Sequence, residues 1–268
     1  MIKIIVAGAV GKMGSAIIKV ISSDYNFKLV GATEQSSNKL LNQDAGEIAG
    51  IGNIGVKIIS DLTQIISECD VVIDFTSPKS SLENIKIAST ANKAMVIGTT
   101  GLSSEDKKEI EKFTKNIPCV MSPNMSIGVN ILFKLAKDVA AILGEDFDTE
   151  IIEAHHRFKK DAPSGTAVHL AEIIAQAKGV NIEESGVYGR KGITGERDSK
   201  SIGVLAVRAG DIVGDHTVMF GGIGERLELI HRAHSRETFA RGALRAAKYV
   251  VNAKPGLYDM QDVLNIKS

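Results

Sequence analysis

A glycine turn set between a short β-branched run and a helical run is the feature that most narrows what this chain can fold into. Ile2-Lys-Ile-Ile-Val-Ala7 stops at Gly8, and residues 12–22 follow with apolar positions at Met13, Ala16, Ile17, Val20 and Ile21. A continuous apolar run ended by glycine is the pattern of a strand buried on both faces of a parallel sheet, and the spacing after it is that of an amphipathic helix. The alternation recurs. Residues 27–33, 70–75, 93–97 and 117–121 read as strands, with helical stretches at 62–68, 80–91 and 103–115. Asp61, Ser77 or Ser80, and Ser103 are N-cap candidates for those helices. Strands separated by helices imply right-handed crossovers and a doubly wound parallel sheet. Residues 36–55 are rich in Gly, Asn and Ser and read as a loop with one short helix at most.

The second half has a different rhythm. A long helix is expected over 126–143 and strands at 149–155, 203–207, 217–220 and 226–231. No helix of any length separates the last three strands, which predicts an α+β region with a mixed or antiparallel sheet. A helix follows Pro163 to Lys178, capped by Asp161 or Ser164, and a terminal helix over 237–251 is placed to return to the first domain. The expected organisation is a dinucleotide-binding domain of residues 1–126 with a return over 236–268, and a substrate-binding and oligomerisation domain of residues 127–235.

Composition removes several function classes. The 268 residues carry 32 basic and 32 acidic side chains, a balance that argues against a general nucleic-acid binder. Cys69 and Cys119 are too few and too far apart for a disulfide framework or a cysteine-based zinc site, and read as buried thiols in a reducing cytosol. The apolar start runs into the glycine turn too soon for a signal peptide, and Lys134, Lys137 and Asp138 interrupt the most apolar helix. The expectation is a cytoplasmic protein with no membrane partner.

Gly8-Ala9-Val10-Gly11-Lys12-Met13-Gly14 stands where a dinucleotide's pyrophosphate would need it. Glycines let the backbone approach the phosphates, and the following helix offers N–H groups and the positive end of its dipole. The spacing is G-x-x-G-x-x-G, with Val10 where the standard fingerprint has glycine. Glu34 ends the second expected strand and can accept hydrogen bonds from both ribose hydroxyls of an adenosine, while repelling a 2′-phosphate. Gln35 is neutral and only Lys39 is near, so NADH is favoured over NADPH. Gly98-Thr99-Thr100-Gly101 and Ser122-Pro123-Asn124-Met125 follow later strands, where nicotinamide and ribose contacts would fall; ordinary turn chemistry favours the same residue types.

All six histidines lie after residue 150, and Glu153-Ala-His155-His156-Arg-Phe-Lys159-Lys-Asp-Ala-Pro-Ser-Gly165-Thr166 is the densest constellation. Such a segment suits metal binding, acid–base chemistry or a charged surface loop. Metal binding ranks lowest, because the spacing is not H-E-x-x-H and no cysteine is near. The cations suit an anionic substrate. Ser164-Gly165-Thr166 would present N–H groups and a hydroxyl to a carboxylate, and Lys159, His155 or His156 would supply a proton.

These segments together resemble the 4-hydroxy-tetrahydrodipicolinate reductase (dihydrodipicolinate reductase) family of bacterial lysine and diaminopimelate biosynthesis. The 153–167 segment is similar to the family's E-x-H-H-x-x-K-x-D-x-P-S-G-T-A signature. Val96–Gly101, Asp74-Phe-Thr-Ser-Pro78, Ser122–Asn130 and Arg208-Ala-Gly-Asp-Ile-Val-Gly-Asp-His216 also look like family segments, and the likeness runs through essentially the whole chain. It implies an N-terminal Rossmann-type domain, a C-terminal mixed sheet and a homotetramer built through those sheets. It implies hydride delivery from NADH or NADPH to a cyclic dicarboxylate. By the same likeness, His155 matches the proton donor/acceptor and Lys159 the proton donor. His156, Gly165 and Thr166 match substrate contacts. Gly8, Ala9, Val10, Gly11, Lys12, Met13, Glu34, Gly98, Thr99, Thr100, Ser122, Pro123, Asn124 and Met125 match cofactor contacts, and no metal is implied. Gln35 departs from the arginine of some members, and Phe158 from a histidine.

Two other readings share some of these features. Another dehydrogenase of the same dinucleotide-binding plan would explain the glycine turn and Glu34 but not the 153–167 segment. A non-enzymatic NADH sensor would need neither His155 nor Lys159.

Overall fold

The structure, a computed structural model, describes residues 1–267; Ser268, the last residue of the expected return, lies outside them. The strands are β1 (Ile2–Ala7), β2 (Phe27–Thr33), β3 (Ile58–Ile59), β4 (Val71–Asp74), β5 (Ala94–Ile97), β6 (Pro118–Met121), β7 (Asp148–His155), β8 (Gly186–Val187), β9 (Ile202–Arg208), β10 (Gly214–Gly221), β11 (Arg226–Ala233) and β12 (Gly256–Tyr258). The helices are α1 (Lys12–Ser22), α2 (Ala45–Ala49), α3 (Pro78–Thr90), α4 (Ser104–Thr114), α5 (Ile127–Leu143), α6 (Gly165–Lys178), α7 (Ile182–Ser185), α8 (Glu237–Val250) and α9 (Met260–Leu264). The chain divides into two compact units, Met1–Ile127 with Arg236–Lys267, and Gly128–Ser235.

The first unit is built on a seven-stranded sheet in the order β12-β6-β5-β4-β1-β2-β3, every neighbouring pair parallel. The continuous apolar runs have a direct cause. Along β1, Ile4 and Val6 enter one core with Ile17, Val96, Val120 and Leu244, while Ile5 enters the opposite one with Val72, Ile85, Met95 and Ile110. A strand covered on both faces has no wet side to mark with polar residues. Small residues on α8 (Ala240, Ala243, Ala246, Ala247) are buried and let it lie close; a Cβ added at Gly242 would fall 1.7 Å from the Met125 carbonyl oxygen. Burial pushes the free Cys69 thiol up to about 11, and raises that of Cys119 as well.

The caps are local devices. Ser77 accepts from the Ser80 N–H, with Pro78 opening α3. Ser103 and Asp106 form a capping box on α4. The helix expected over 62–68 is instead two 3₁₀ turns, 62–64 and 66–68, the first capped by Asp61. Only three residues lie in each turn, too few to repeat an i→i+4 ladder, and Leu62, Ile66 and Cys69 are buried without one. The glycine-rich segment 36–55 holds the short α2, where the Asp44 carboxylate accepts from the N–H groups of Gly46, Glu47, Ile54 and Val56. The two- and three-residue strands β3, β8 and β12 are too short to leave a periodic signal.

The second unit carries a five-stranded sheet in the order β11-β10-β7-β9-β8. β10 runs antiparallel to β7 and β11, whereas β9 is parallel to β7 and β8, so the sheet is mixed. Leu132, Phe133 and Ala136 of α5 and Leu170 and Ile174 of α6 pack on Ile151, Val204, Val218 and Phe220. Thr149, Ile151 and Glu153 are the buried phase of β7. On the other phase of the sheet, Val207 and Ile230 are exposed. Among the described residues, no helix is long and apolar enough to cross a membrane.

Candidate active site

In the first unit β1 is central, with β2 on one side and β4 on the other, so the winding of the sheet reverses beside the glycine turn. Ligands of open α/β sheets bind beyond the carboxyl ends of the strands at such a point. Gly8 has φ 78°, and a Cβ there would sit 2.7 Å from the Phe75 carbonyl oxygen. A Cβ on Gly14 would fall 2.1 Å from the Gly8 carbonyl oxygen. Gly11 is the N-cap of α1 and brings no side-chain cap, which leaves first-turn donors for an anion. Glu34 bends back to the turn, its carboxylate accepting from the Val10 N–H at 3.2 Å and the Gln35 N–H at 3.0 Å.

Two clefts open at these strand ends. One of about 640 Å³ is lined by Gly8, Gly11, Glu34 and Gln35. The other, about 520 Å³, is lined by Gly11, Lys12, Met13, Gly98, Thr99, Thr100, Pro123, Asn124 and Met125. The turn and both later loops therefore meet, as a dinucleotide cradle requires. Ala9, Val10 and Ser122 do not line these clefts: Ala9 is buried, Val10 is held to Glu34, and the Ser122 hydroxyl donates to the Asn124 carbonyl at 2.9 Å. A nicotinamide dinucleotide fits this cradle, because the tightly packed glycine turn brings the start of α1, with no side-chain cap, to the lining of both clefts.

Sequence reasoning missed the supports of this cradle. Phe75, Thr76 and Phe239 line the second cleft. The buried Asp74 carboxylate accepts from the Thr76 N–H at 3.0 Å and hydroxyl at 2.6 Å, from the Asn84 amide at 2.9 Å and from the Thr99 hydroxyl at 3.3 Å. Burial raises its pKa more than these bonds lower it. The available signal was a charge closing an otherwise apolar strand.

In the second unit, β7 ends in Glu153, Ala154 and His155, so Glu153 and His155 share a face. Glu153 Oε2 lies 2.6 Å from His155 Nδ1. Arg208, the last residue of β9, donates to both Glu153 oxygens at 2.8 Å. Glu153 Oε1 also accepts from the Ser164 N–H at 3.0 Å. Burial opposes charge on Glu153, but the bonds from Arg208 and His155 outweigh it and hold the carboxyl below its usual range. His155 is lowered chiefly by burial, with Glu153 working against that and Lys159 and Arg208 reinforcing it.

Ser164, rather than Asp161, caps α6: its hydroxyl oxygen accepts from the Ala167 N–H at 3.2 Å and also meets His216 Nε2 at 3.1 Å. Gly165 and Thr166 are consequently the first two helical residues. Burial pushes His216 down to about 3, so it is neutral at pH 7, and its ring meets that of His155 edge-on, 5.2 Å between centroids. Lys159 lies against the Asp161 carboxylate at 2.7 and 2.9 Å. His156 keeps a buried Nδ1 that no protein group hydrogen-bonds. Sequence reasoning assigned no role to Glu153, Arg208 or His216. Glu153 alone left a sign, as an acidic residue in the buried phase of a strand. Among the described residues, no group of three or more His, Cys, Asp or Glu side chains is placed to hold a metal ion.

An imidazole, an amine and a helix start gathered near one another suit an anionic substrate, and the cradle suits a nicotinamide dinucleotide. Residues 2–125 match the family model "Dihydrodipicolinate reductase, N-terminus", and residues 128–264 match "Dihydrodipicolinate reductase, C-terminus". The chain is 53% identical over 268 residues to a 4-hydroxy-tetrahydrodipicolinate reductase of Syntrophus aciditrophicus (strain SB), covering 100% of both chains. It is 53% identical over 267 residues to the enzyme of that name from Syntrophobacter fumaroxidans (strain DSM 10017 / MPOB), again covering 100% of both. Among solved structures, the dipicolinate-bound dihydrodipicolinate reductase from Paenisporosarcina sp. TG-14 superposes with a TM-score of 0.78 at 26% identity over 100% of both chains. Aspartate semialdehyde dehydrogenase II from Vibrio cholerae, at 10% identity and a TM-score of 0.57 over 94% of this chain and 98% of that one, shares the fold alone. With both halves matched in order and full-length relatives at such identity, this chain belongs to the dihydrodipicolinate reductase family.

Proposed function

We propose that the chain performs its family's reaction in the cytoplasm as a homotetramer, with NADH the preferred reductant and the 153–166 segment carrying the proton chemistry. The chain is a 4-hydroxy-tetrahydrodipicolinate reductase, an NAD(P)H-dependent oxidoreductase of lysine and diaminopimelate biosynthesis. Its substrate loses water and gains one hydride and one proton, giving tetrahydrodipicolinate. The observation that carries the reading is the full-length match joined to the Glu153–His155–Ser164 arrangement.

The first unit binds the dinucleotide and the second binds substrate. The bound dihydronicotinamide supplies the hydride. Gly165 and Thr166, at the start of α6, receive a substrate carboxylate where the helix dipole favours negative charge. His156 adds a donor, and Arg157 and Lys160 add favourable field for a dianion. Hydride addition leaves electron density on the ring, and Lys159 delivers the proton to it while His155 gives and takes a proton at Nε2. Val207 and Ile230, exposed on the phase of the sheet opposite the core, support association through the sheets.

The primary test is oxidation of NADH, with NADPH in parallel, on substrate made in place from pyruvate and aspartate semialdehyde by the synthase. Oxidation that depends on the synthase is the expected result; none with either cofactor, from folded protein that binds NADH, overturns the reading. Glu34→Ala removes the carboxylate placed for the ribose hydroxyls, so NADH affinity is expected to fall about tenfold relative to NADPH, about the net worth of one hydrogen bond. Equal affinities in variant and parent would show that Glu34 does not meet the ribose. Thr166→Val keeps the shape and removes one hydroxyl, and is expected to raise KM for the dicarboxylate about five- to tenfold with KM for NADH unchanged. An equal rise in both would point to general disruption.

A further inference from the structure

We infer that Glu153, clamped by Arg208, is the positioning residue that sets both the proton-carrying nitrogen of His155 and the placement of the carboxylate-binding turn at Ser164–Thr166. The inference rests on the reading of His155 as a proton carrier given above.

Four donors converge on the two oxygens of this one buried carboxylate. Oε2 takes His155 Nδ1 at 2.6 Å and Arg208 Nη1 at 2.8 Å. Oε1 takes Arg208 Nη2 at 2.8 Å and the Ser164 N–H at 3.0 Å. Glu153 has no exposed side-chain surface, so these partners replace water completely. Arg208 is itself held, donating also to the Val207 and Asp161 carbonyls, both at 2.7 Å.

Two consequences follow from the donor count. An ionised carboxylate is acceptor-only, so His155 Nδ1 keeps its hydrogen and Nε2 is the nitrogen that exchanges protons. Gly214 leaves room there, since a Cβ on it would stand 3.0 Å from Nε2. The same carboxylate fixes the Ser164 backbone, and Ser164 in turn caps α6, so the start of the helix is registered against His155 through a single side chain. The charged and titratable groups facing His155 are Glu153 on its own strand, Arg208 on β9, His216 on β10 and Lys159 in the loop after β7. Of these Glu153 supports the imidazolium, Lys159 and Arg208 oppose it, and His216 is uncharged.

Glu153→Gln tests this. Glutamine offers one oxygen and one NH₂ where four donors arrive, so two of the four lose their acceptor. With the NH₂ toward His155, the imidazole is driven to the opposite tautomer, the fault that disables a histidine base when its orienting carboxylate becomes an amide. The expected result is a fall in kcat of about 10²-fold or more and a several-fold rise in KM for the dicarboxylate, with KM for NADH unchanged. The pH limb belonging to His155 should move about one unit to the acid side, because the one group raising its pKa has been neutralised. Solid-state ¹⁵N spectra of histidine-labelled protein, assigned with His155→Asn, should show Nδ1–H in the parent and lose that tautomer in Glu153→Gln. Glu153→Asp restores the acceptor set at shorter reach and should recover part of kcat and the parental pH limb. If Glu153→Gln does not fold, Arg208→Lys, which releases one arm of the clamp and leaves the carboxylate ionised, should lower kcat and raise KM for the dicarboxylate to a smaller extent with Nδ1–H of His155 retained; parental kcat and KM in that variant would overturn the clamp.

Parent enzyme active, with Glu153→Gln within threefold of it in kcat or with an unmoved pH limb and tautomer, overturns the role of Glu153 and leaves the reductase reading intact. Parent protein inactive in the synthase-coupled assay overturns the reading itself and this role with it.

Discussion

Lys159→Ala is expected to lower kcat by about 10²-fold or more, the usual scale for a positioned acid. Its partner in the structure is Asp161, whose side chain is 65% exposed. An ion pair with one partner in solvent contributes about 1 kcal/mol at most, so the variant should melt close to the parent. The predicted signature is therefore lost turnover in a stable, cofactor-binding protein. Lys159→Arg separates the two jobs an amine can do here. Arginine keeps the positive field for a dicarboxylate but hardly gives up a proton near neutrality, so KM should stay near the parent value while kcat remains low. A fall of less than threefold in Lys159→Ala would remove Lys159 as the proton donor and move that role to His155 or to water.

Gly14→Ala should weaken cofactor binding strongly. The added methyl would lie 2.1 Å from the Gly8 carbonyl oxygen, 2.7 Å from Ala9 Cα and 2.9 Å from the Ala9 carbonyl carbon, all backbone atoms that cannot rotate away. The start of α1 must then move off the turn, and the donors aimed at the pyrophosphate move with it. Overpacking of this kind costs about 3 kcal/mol of stability. NADH affinity should fall about 10²-fold, since two or three oriented backbone hydrogen bonds to an anion are misplaced together. NADH fluorescence titration and a urea midpoint on the same sample measure both. Parental affinity in the variant would place the pyrophosphate elsewhere.

The glycine turn was legible because its parts are local. Gly8, Gly11 and Gly14 lie within one turn, and their spacing reports the backbone approach whatever the rest of the chain does. Strand and helix periods are local too, which is why β1, α1 and β2 could be delimited from residues 1–33 alone. The 62–68 segment shows the limit. Its apolar residues suit a helix, yet burial of Leu62, Ile66 and Cys69 is met by two short turns.

The substrate side was legible as a segment and not as a site. His155, Lys159, Gly165 and Thr166 could be singled out, because the types and spacing of the 153–166 residues are unusual. The partners that give them geometry are remote: Arg208 is 55 residues from Glu153, and His216 is 52 from Ser164. Asp74 is joined in the same way to Thr99, 25 residues on. By itself the sequence determined the alternation of elements, the glycine turn, the acidic residue after β2 and the chemical types near His155, all set by neighbours along the chain. The tertiary structure alone decided which carboxylate is buried, which nitrogen of His155 it holds and which loops share a cleft with the turn. Those are settled by strand register and burial, which bring together residues whose separation in sequence carries no period to read.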